Sequence, residues 1–196
     1  MSERRLLLAT RNLGKVRELQ ALLGELGITV ESLDDHPEVG ELADDGDTFE
    51  ANAIQKAEAA AAASGLPCVA DDSGLEVDAL DGRPGVYSAR YAETVEARNR
   101  KLLGELGDLE LEQRTARFRC AMAYCEPQGS EPLVVEGRCE GWIAMRPEGD
   151  NGFGYDPVFL LDDGRTMAML SAEEKNRISH RGRAARKLAE KLRQGA

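Results

Sequence analysis

The sequence predicts an α/β fold, and three observations carry that prediction. The apolar run Leu6-Leu7-Leu8-Ala9 gives way to a short loop, Thr10-Arg11-Asn12-Leu13-Gly14-Lys15, and then to apolar residues at helical spacing. A second helical stretch from Asp47 through Ala63 runs into the apolar triplet Cys68-Val69-Ala70. Two alternating stretches, Ala116–Tyr124 and Leu133–Met145, read as long strands that pair across Pro127–Pro132. With 196 residues the chain can bury one sizeable core, and a single α/β domain over 1–196 is expected.

Taken in order, Leu6–Leu8 form a short buried strand, and Asn12 caps a helix whose inner face carries Val16, Leu19, Leu22, Leu23 and Leu26. Gly27 is placed to end that helix, and Ile28–Leu33 read as the next strand. Asp34–Gly46 is an acidic, turn-rich loop in which His36 has no evident role. Asp47 with Glu50 three residues on resembles a capping box, and Ser64-Gly65-Leu66-Pro67 stops the helix it opens. Cys68–Ala70 is a buried strand ending at Asp71 and Asp72, with Glu76–Leu80 continuing as an alternating strand or hairpin arm. Glu93–Leu106 is helical in character, and Gly137 and Gly141 let the second long strand bend. Ser171 with Glu174 forms another capping box, and Ser179–Leu192 make a basic terminal helix.

A formal net charge of −11 argues against a polynucleotide partner, whose phosphates are gripped by clustered Lys and Arg. An acidic protein still binds a small anion if a few cations converge, and Lys15, Lys56, Lys175 and Arg181 are the candidates. The four cysteines, Cys68, Cys120, Cys125 and Cys139, lack zinc-ligand spacing and read as reduced, buried thiols. No apolar stretch approaches the ~18 residues of a membrane span, and the N-terminal apolar run is too short for a signal peptide. A cytoplasmic protein is expected.

The first loop nearly spells a P-loop: Ala9, four residues, then Gly14 and Lys15. Val16, however, stands where a P-loop needs a magnesium-binding hydroxyl. Lys15 and backbone NH groups suit phosphate here, and the metal needs other ligands. Ala70-Asp71-Asp72-Ser73-Gly74 offers them, although the same residues are ordinary Asx-turn chemistry. Adjacent strand residues face opposite ways, so one carboxylate, Asp72, is assigned to the metal and Asp71 to orienting its surroundings. Asn52 and Lys56 lie four apart on one helix face, either serving the site or simply solvated. In Gly152-Phe153-Gly154-Tyr155-Asp156-Pro157 the glycines admit close backbone approach while Phe153 offers a base a stacking face; the alternative is a glycine-rich turn with core aromatics. His180 and Arg181 at a helix start are suited to donate to carbonyl edges of a base.

Thr10-x-Asn12-x-x-Lys15, Thr48-Phe49-x-x-Asn52-Ala53-x-x-Lys56-Ala57, Ala70-Asp-Asp-Ser-Gly-Leu75, Pro84-Gly-Val-Tyr-Ser-Ala-Arg90, Phe153-Gly-Tyr-Asp-Pro157 and Glu174-Lys-x-x-x-Ser-His-Arg181 occur in that order over nearly the whole chain. Together they resemble the Ham1/RdgB-like inosine triphosphate pyrophosphatase family. The resemblance implies an elongated mixed β-sheet with flanking helices forming two lobes around a central active-site cleft, usually as a homodimer. It implies Mg²⁺-dependent hydrolysis, with Mn²⁺ as a substitute, of inosine, xanthosine and related purine triphosphates to monophosphate and pyrophosphate. By position, Thr10, Arg11, Asn12, Leu13, Gly14 and Lys15 would hold phosphates, Lys56 would add positive charge, and Ser73 would assist at the substrate. Asp72 would bind the metal and act as, or position, the general base. Phe153, Gly154, Tyr155 and Asp156 would wrap the purine, with Lys175, His180 and Arg181 near it.

Two departures from the family pattern stand out. Many relatives carry a metal-binding Glu two residues before the glycine of the acidic loop, where this chain has Asp44; Asp44 is taken as the second ligand, with Glu41 or Glu50 as substitutes. Arg11 fills a position often small in relatives and either adds a phosphate contact or points to solvent. Maf-like pyrophosphatases and a non-hydrolysing nucleotide sensor are the rival readings. The Phe153 and Ser179-His180-Arg181 signatures count against the first, and the presence of both Lys15 and Asp72 counts against the second, because binding alone requires no water-activating carboxylate.

Overall fold

The computed structural model describes residues 4–24 and 27–194, apart from the side chains of Glu18 and Leu22. Leu26 and the Leu22 side chain, assigned above to the first helix's inner face, lie outside the described residues. The strands are β1 (Arg4–Leu8), β2 (Ile28–Ser32), β3 (Cys68–Val77), β4 (Thr115–Cys125), β5 (Leu133–Ile143) and β6 (Phe159–Leu160). The helices are α1 (Leu13–Leu23), α2 (Phe49–Ser64), α3 (Val95–Leu106), α4 (Ala172–Ile178) and α5 (His180–Gln194). The strands form one sheet in the order β2-β1-β3-β4-β5-β6. It is mixed, since β1 runs parallel to β2 and β3 while β5 and β6 are antiparallel.

Local chemistry explains most boundaries. Asn12 caps α1 through its side-chain oxygen, and Ser171 and Glu174 form the reciprocal box that starts α4. Several boundaries differ from the sequence expectation, among them the arm expected over Glu76–Leu80, which leaves β3 at Val77 for a 3₁₀ turn, Asp78–Leu80. Thr48, not Asp47, caps α2 by accepting from Ala51 N, because the capping oxygen must sit one residue before the first helical residue. The C-cap of α1 is Gly24 rather than Gly27. Asp71 and Asp72 lie inside β3, which runs unbroken for 10 residues, because partners elsewhere in the chain satisfy both carboxylates. At Gly141 of β5 the small residue is a packing requirement: a Cβ there would run into the Leu160 carbonyl and the Phe159 ring of β6.

The chain folds into two compact units, Met1–Asp72 with Cys120–Gly137 and Gly182–Ala196, and Ser73–Arg119 with Arg138–Arg181. The first has a core of Leu6, Leu8, Leu19, Leu23, Val30, Val69, Met122 and the α5 residues Ala184, Ala185 and Leu188. The second is built on Leu75, Val77, Leu102, Leu106, Phe118, Ile143, Tyr155, Val158 and Phe159. All four cysteines are buried free thiols, and burial pushes the Cys68 thiol up to about 12. Among the described residues no helix is long and apolar enough to cross a membrane.

The acidic segment after β2 is more than a solvated loop. It opens with two 3₁₀ turns, Leu33–Asp35 and Pro37–Val39, and the buried His36 between them faces two carboxylates. Its Nε2 lies 2.6 Å from Glu31 Oε2 and its Nδ1 2.9 Å from Glu38 Oε1. The Glu38 carboxylate raises the His36 pKa from its ordinary 6.5, burial opposes this, and Glu31 adds to the rise. Arg5 donates to Glu31 and holds that carboxyl at about 2. A raised histidine stabilises the fold fully below its unfolded value and loses that contribution as pH climbs through the folded value. The melting temperature of the native chain should therefore exceed that of His36→Gln most at about pH 6, and the gap should narrow toward about pH 9. A gap that does not change with pH would show that the imidazolium contributes nothing.

Candidate functional site

The first unit gathers phosphate-sized and metal-type chemistry around two charge clusters. At the start of α1, Asn12 Oδ1 accepts from Gly14 N at 2.9 Å and from Lys15 N at 3.4 Å, while Thr10 Oγ1 accepts from Asn12 N at 3.2 Å. The turn is thus pre-shaped by its own side chains, and three of its NH groups are already engaged. What it presents outward is the positive end of the helix, while the Lys15 ammonium turns to Asp71. Leu13 and Gly14 are exposed at this turn. Arg11 pairs with Asp34 at 3.6 Å on the surface, so its charge is partly answered there.

Asp71 and Asp72 divide as alternation along a strand requires. Asp71, buried, receives the Lys15 ammonium at 2.8 and 2.9 Å and so sets where that cation stands. Asp72 Oδ2 accepts from Asn52 Nδ2 at 2.8 Å, and its Oδ1 accepts from Lys56 Nζ at 3.3 Å. Asn52 is itself fixed, because its Oδ1 accepts from Gly46 N at 2.6 Å. Lys56 Nζ also donates to Asp44 Oδ1 at 3.1 Å, so two carboxylates share one ammonium. Burial pushes the Asp72 carboxyl above its ordinary range, and Lys56 and Asn52 only partly offset that. Burial works against the Lys56 ammonium, yet Asp72 and Asp44 together hold its pKa above the ordinary value.

Two carboxylates answered by one lysine are a hard-oxygen donor set that fits Mg²⁺, which takes one or two carboxylates and fills its remaining positions with water and phosphate oxygens. No group of three or more His, Cys, Asp or Glu able to hold a metal occurs among the described residues.

The second unit holds an aromatic platform. Phe153 is 49% exposed, with Lys175 Nζ at 4.3 Å and Arg181 Cζ at 5.5 Å from its ring centroid. Asp156 Oδ2 accepts from Phe153 N at 2.7 Å and from Lys175 Nζ at 2.6 Å, a buried pair that ties the loop to α4. A side chain at Gly152, where φ is +78°, would collide with that carboxylate. Arg181 Nη2 donates to Ser73 Oγ at 3.0 Å. Two aromatic residues assigned above to the base sit deeper than the sequence suggests. Tyr155 is in the core and donates its hydroxyl to Ser88 O at 2.9 Å, and His180 stacks on Phe118 at 4.7 Å. Both rings are almost wholly buried.

Residues 6–191 match the model of the Ham1 family. The chain belongs to the Ham1 family. Among curated Ham1 relatives, the dITP/XTP pyrophosphatase of Nitratidesulfovibrio vulgaris is 54% identical over 200 residues, covering 97% of this chain and 96% of its own length. That of Geobacillus kaustophilus is 54% identical over 189 residues, covering 94% and 92%. Among solved structures, the Ham1 protein of Coxiella burnetii matches with a TM-score of 0.90 at 42% identity, covering 97% of this chain and 99% of that one. The Staphylococcus aureus Ham1 protein matches with 0.89 at 40% identity, covering 98% and 100%. The mixed α/β architecture is therefore that of the Ham1 fold, and as a Ham1 enzyme the chain hydrolyses a phosphoanhydride bond.

Sequence reasoning gave no role to three buried polar residues, Ser88, His36 and Asn99. Ser88 falls inside the Pro84–Arg90 motif, which by itself gives it no role, and His36 carries no pattern that marks it. Asn99 does: it shares a face of α3 with Leu102 and Leu106, and a polar residue on a buried stripe is a signal in itself.

Proposed function

We propose that this chain is a Mg²⁺-dependent pyrophosphohydrolase that removes deaminated purine nucleoside triphosphates, ITP and XTP with their deoxy forms, as nucleoside monophosphate and pyrophosphate. The observation that carries the reading is the Asp72 carboxylate, held by the Asn52 amide and sharing Lys56 with Asp44. The names of the curated relatives, dITP/XTP pyrophosphatases, support the same substrate class.

In this reading Asp72 and Asp44 hold the metal, which when bound neutralises charge on the phosphate oxygens. Lys15, steadied by Asp71, and Lys56 attract the triphosphate. Asp72 accepts the proton of the attacking water, and Asn52 keeps its carboxylate aimed. Phe153 offers its exposed face to the purine, and Lys175 and Arg181 beside that ring are donors for a 6-oxo group. Adenine would bring its own donor against them, a mismatch of about 1 to 3 kcal/mol per contact. The reading extends to a homodimer acting in the cytoplasm on free nucleotides, and the net charge of −11 accords with avoidance of polynucleotides.

Steady-state hydrolysis of ITP, XTP, GTP and ATP with Mg²⁺, resolving pyrophosphate from orthophosphate, tests it. Pyrophosphate with strong preference for ITP and XTP is expected. Orthophosphate would make the protein a γ-phosphatase, and binding without turnover would make it a sensor.

A further inference from the structure

Helix α3 belongs to none of the motifs above, yet it sends one polar side chain into the core of the second unit. Asn99 is 5% exposed and lies on the stripe that continues through the buried Leu102 and Leu106. Its Nδ2 donates to the Gly154 carbonyl at 3.2 Å, while its Oδ1 is buried with no hydrogen-bond partner in the structure. A leucine would complete the apolar stripe without leaving that oxygen unmet, so packing alone does not account for an amide here.

The Gly154 carbonyl belongs to the loop that presents Phe153. On the Phe153 side, Asp156 Oδ2 accepts from the Phe153 NH at 2.7 Å. On the far side, Tyr155 is anchored to Ser88 O at 2.9 Å, and Ser88 Oγ is itself engaged with Leu75 N at 2.9 Å and Gly85 O at 2.6 Å. Between these anchors stands Gly154, with φ of +63° and nothing within 4 Å of the place where a Cβ would be. A glycine in open space has little side-chain reason to keep one peptide orientation. The Asn99 amide supplies that reason.

We propose that Asn99 is a positioning residue that holds the Gly154 peptide, and through it the tilt of the Phe153 ring, for recognition of an oxopurine base. It acts on the base and leaves the grip on the phosphates unchanged. The inference rests on the base-binding role given to Phe153 above.

Titration calorimetry with inosine monophosphate, adenosine monophosphate and inorganic pyrophosphate, together with thermal melting, tests it on the native chain, Asn99→Leu and Asn99→Ala. The native chain must first bind inosine monophosphate more tightly than adenosine monophosphate; if it does not, the base-binding reading itself falls. Given that preference, Asn99→Leu should weaken inosine monophosphate about tenfold and leave pyrophosphate within about twofold. Its melting temperature should be unchanged or higher, and in turnover KM for ITP should rise while kcat holds. Unchanged inosine monophosphate affinity in either folded variant overturns the proposal. So does an equal loss for inosine monophosphate and pyrophosphate, which would mark Asn99 as merely structural. Asn99→Ala carries the same titration if the leucine does not fit.

Discussion

Asp72→Asn is expected to lower turnover of ITP about a thousandfold while leaving the protein folded. The new amide keeps an oxygen for Lys56, but its NH₂ group would face the Asn52 NH₂, which now donates to Asp72 at 2.8 Å. Asn52 cannot simply turn over, because its oxygen already accepts from Gly46 N at 2.6 Å. The clash of donors should cost about 1 to 3 kcal/mol of stability, a few degrees of melting temperature in a chain of this size. Activity and stability thus separate by orders of magnitude. Steady-state kinetics beside a circular dichroism melt measure both. A folded variant within about tenfold of native turnover would remove Asp72 from the chemistry.

Lys175→Met should produce the largest loss of stability among the substitutions considered. Lys175 and Asp156 are both buried and meet at 2.6 Å, so removing the ammonium strands a carboxylate whose other contact is the Phe153 NH. Breaking a buried pair from one side costs about 3 to 5 kcal/mol. Asp156→Asn in the same chain removes the stranded charge and keeps an oxygen for Phe153 N, and it should restore much of that loss. Thermal or denaturant unfolding of the two single variants and the double variant gives the coupling directly. Additive losses would mean that the pair contributes no net interaction. The Lys175→Met chain should also discriminate poorly among purines, because Phe153 loses the cation 4.3 Å from its ring.

The features legible in the sequence are those whose partners lie close along the chain. The Asn12 cap and the Ser171–Glu174 box depend on atoms two or three residues apart, and both stand as read. The α2 start shows the limit of such reading. Asp47 and Thr48 are both capping residues, and the sequence pattern favoured the one with Glu50 three residues on. In the folded chain, Thr48 is the residue with extended backbone and its oxygen on Ala51 N.

The Asp71-Asp72 pair marks where local reasoning stops. Two adjacent carboxylates before Ser-Gly read as the end of a strand, since isolated charges do not stay in a sheet interior. In the structure β3 passes through them unbroken. Lys15 reaches Asp71 from 56 residues away, and Asn52 and Lys56 reach Asp72 from 20 and 16. Those partners remove the penalty that would have ended the strand.

By itself the sequence determined the α/β class, the Asn12 and Ser171–Glu174 caps, the apolar stripes and the ordered motifs of the Ham1 family, all of which depend on residue type and on spacing along the chain. Only the tertiary structure decided which carboxylate meets which cation, that Tyr155 and His180 are buried while Phe153 stands exposed, and that Asn99 donates to Gly154. The reason is physical. A cap or a stripe is settled by contacts within one or two turns, whereas charge pairing and ring burial depend on which distant side chains desolvate the same volume.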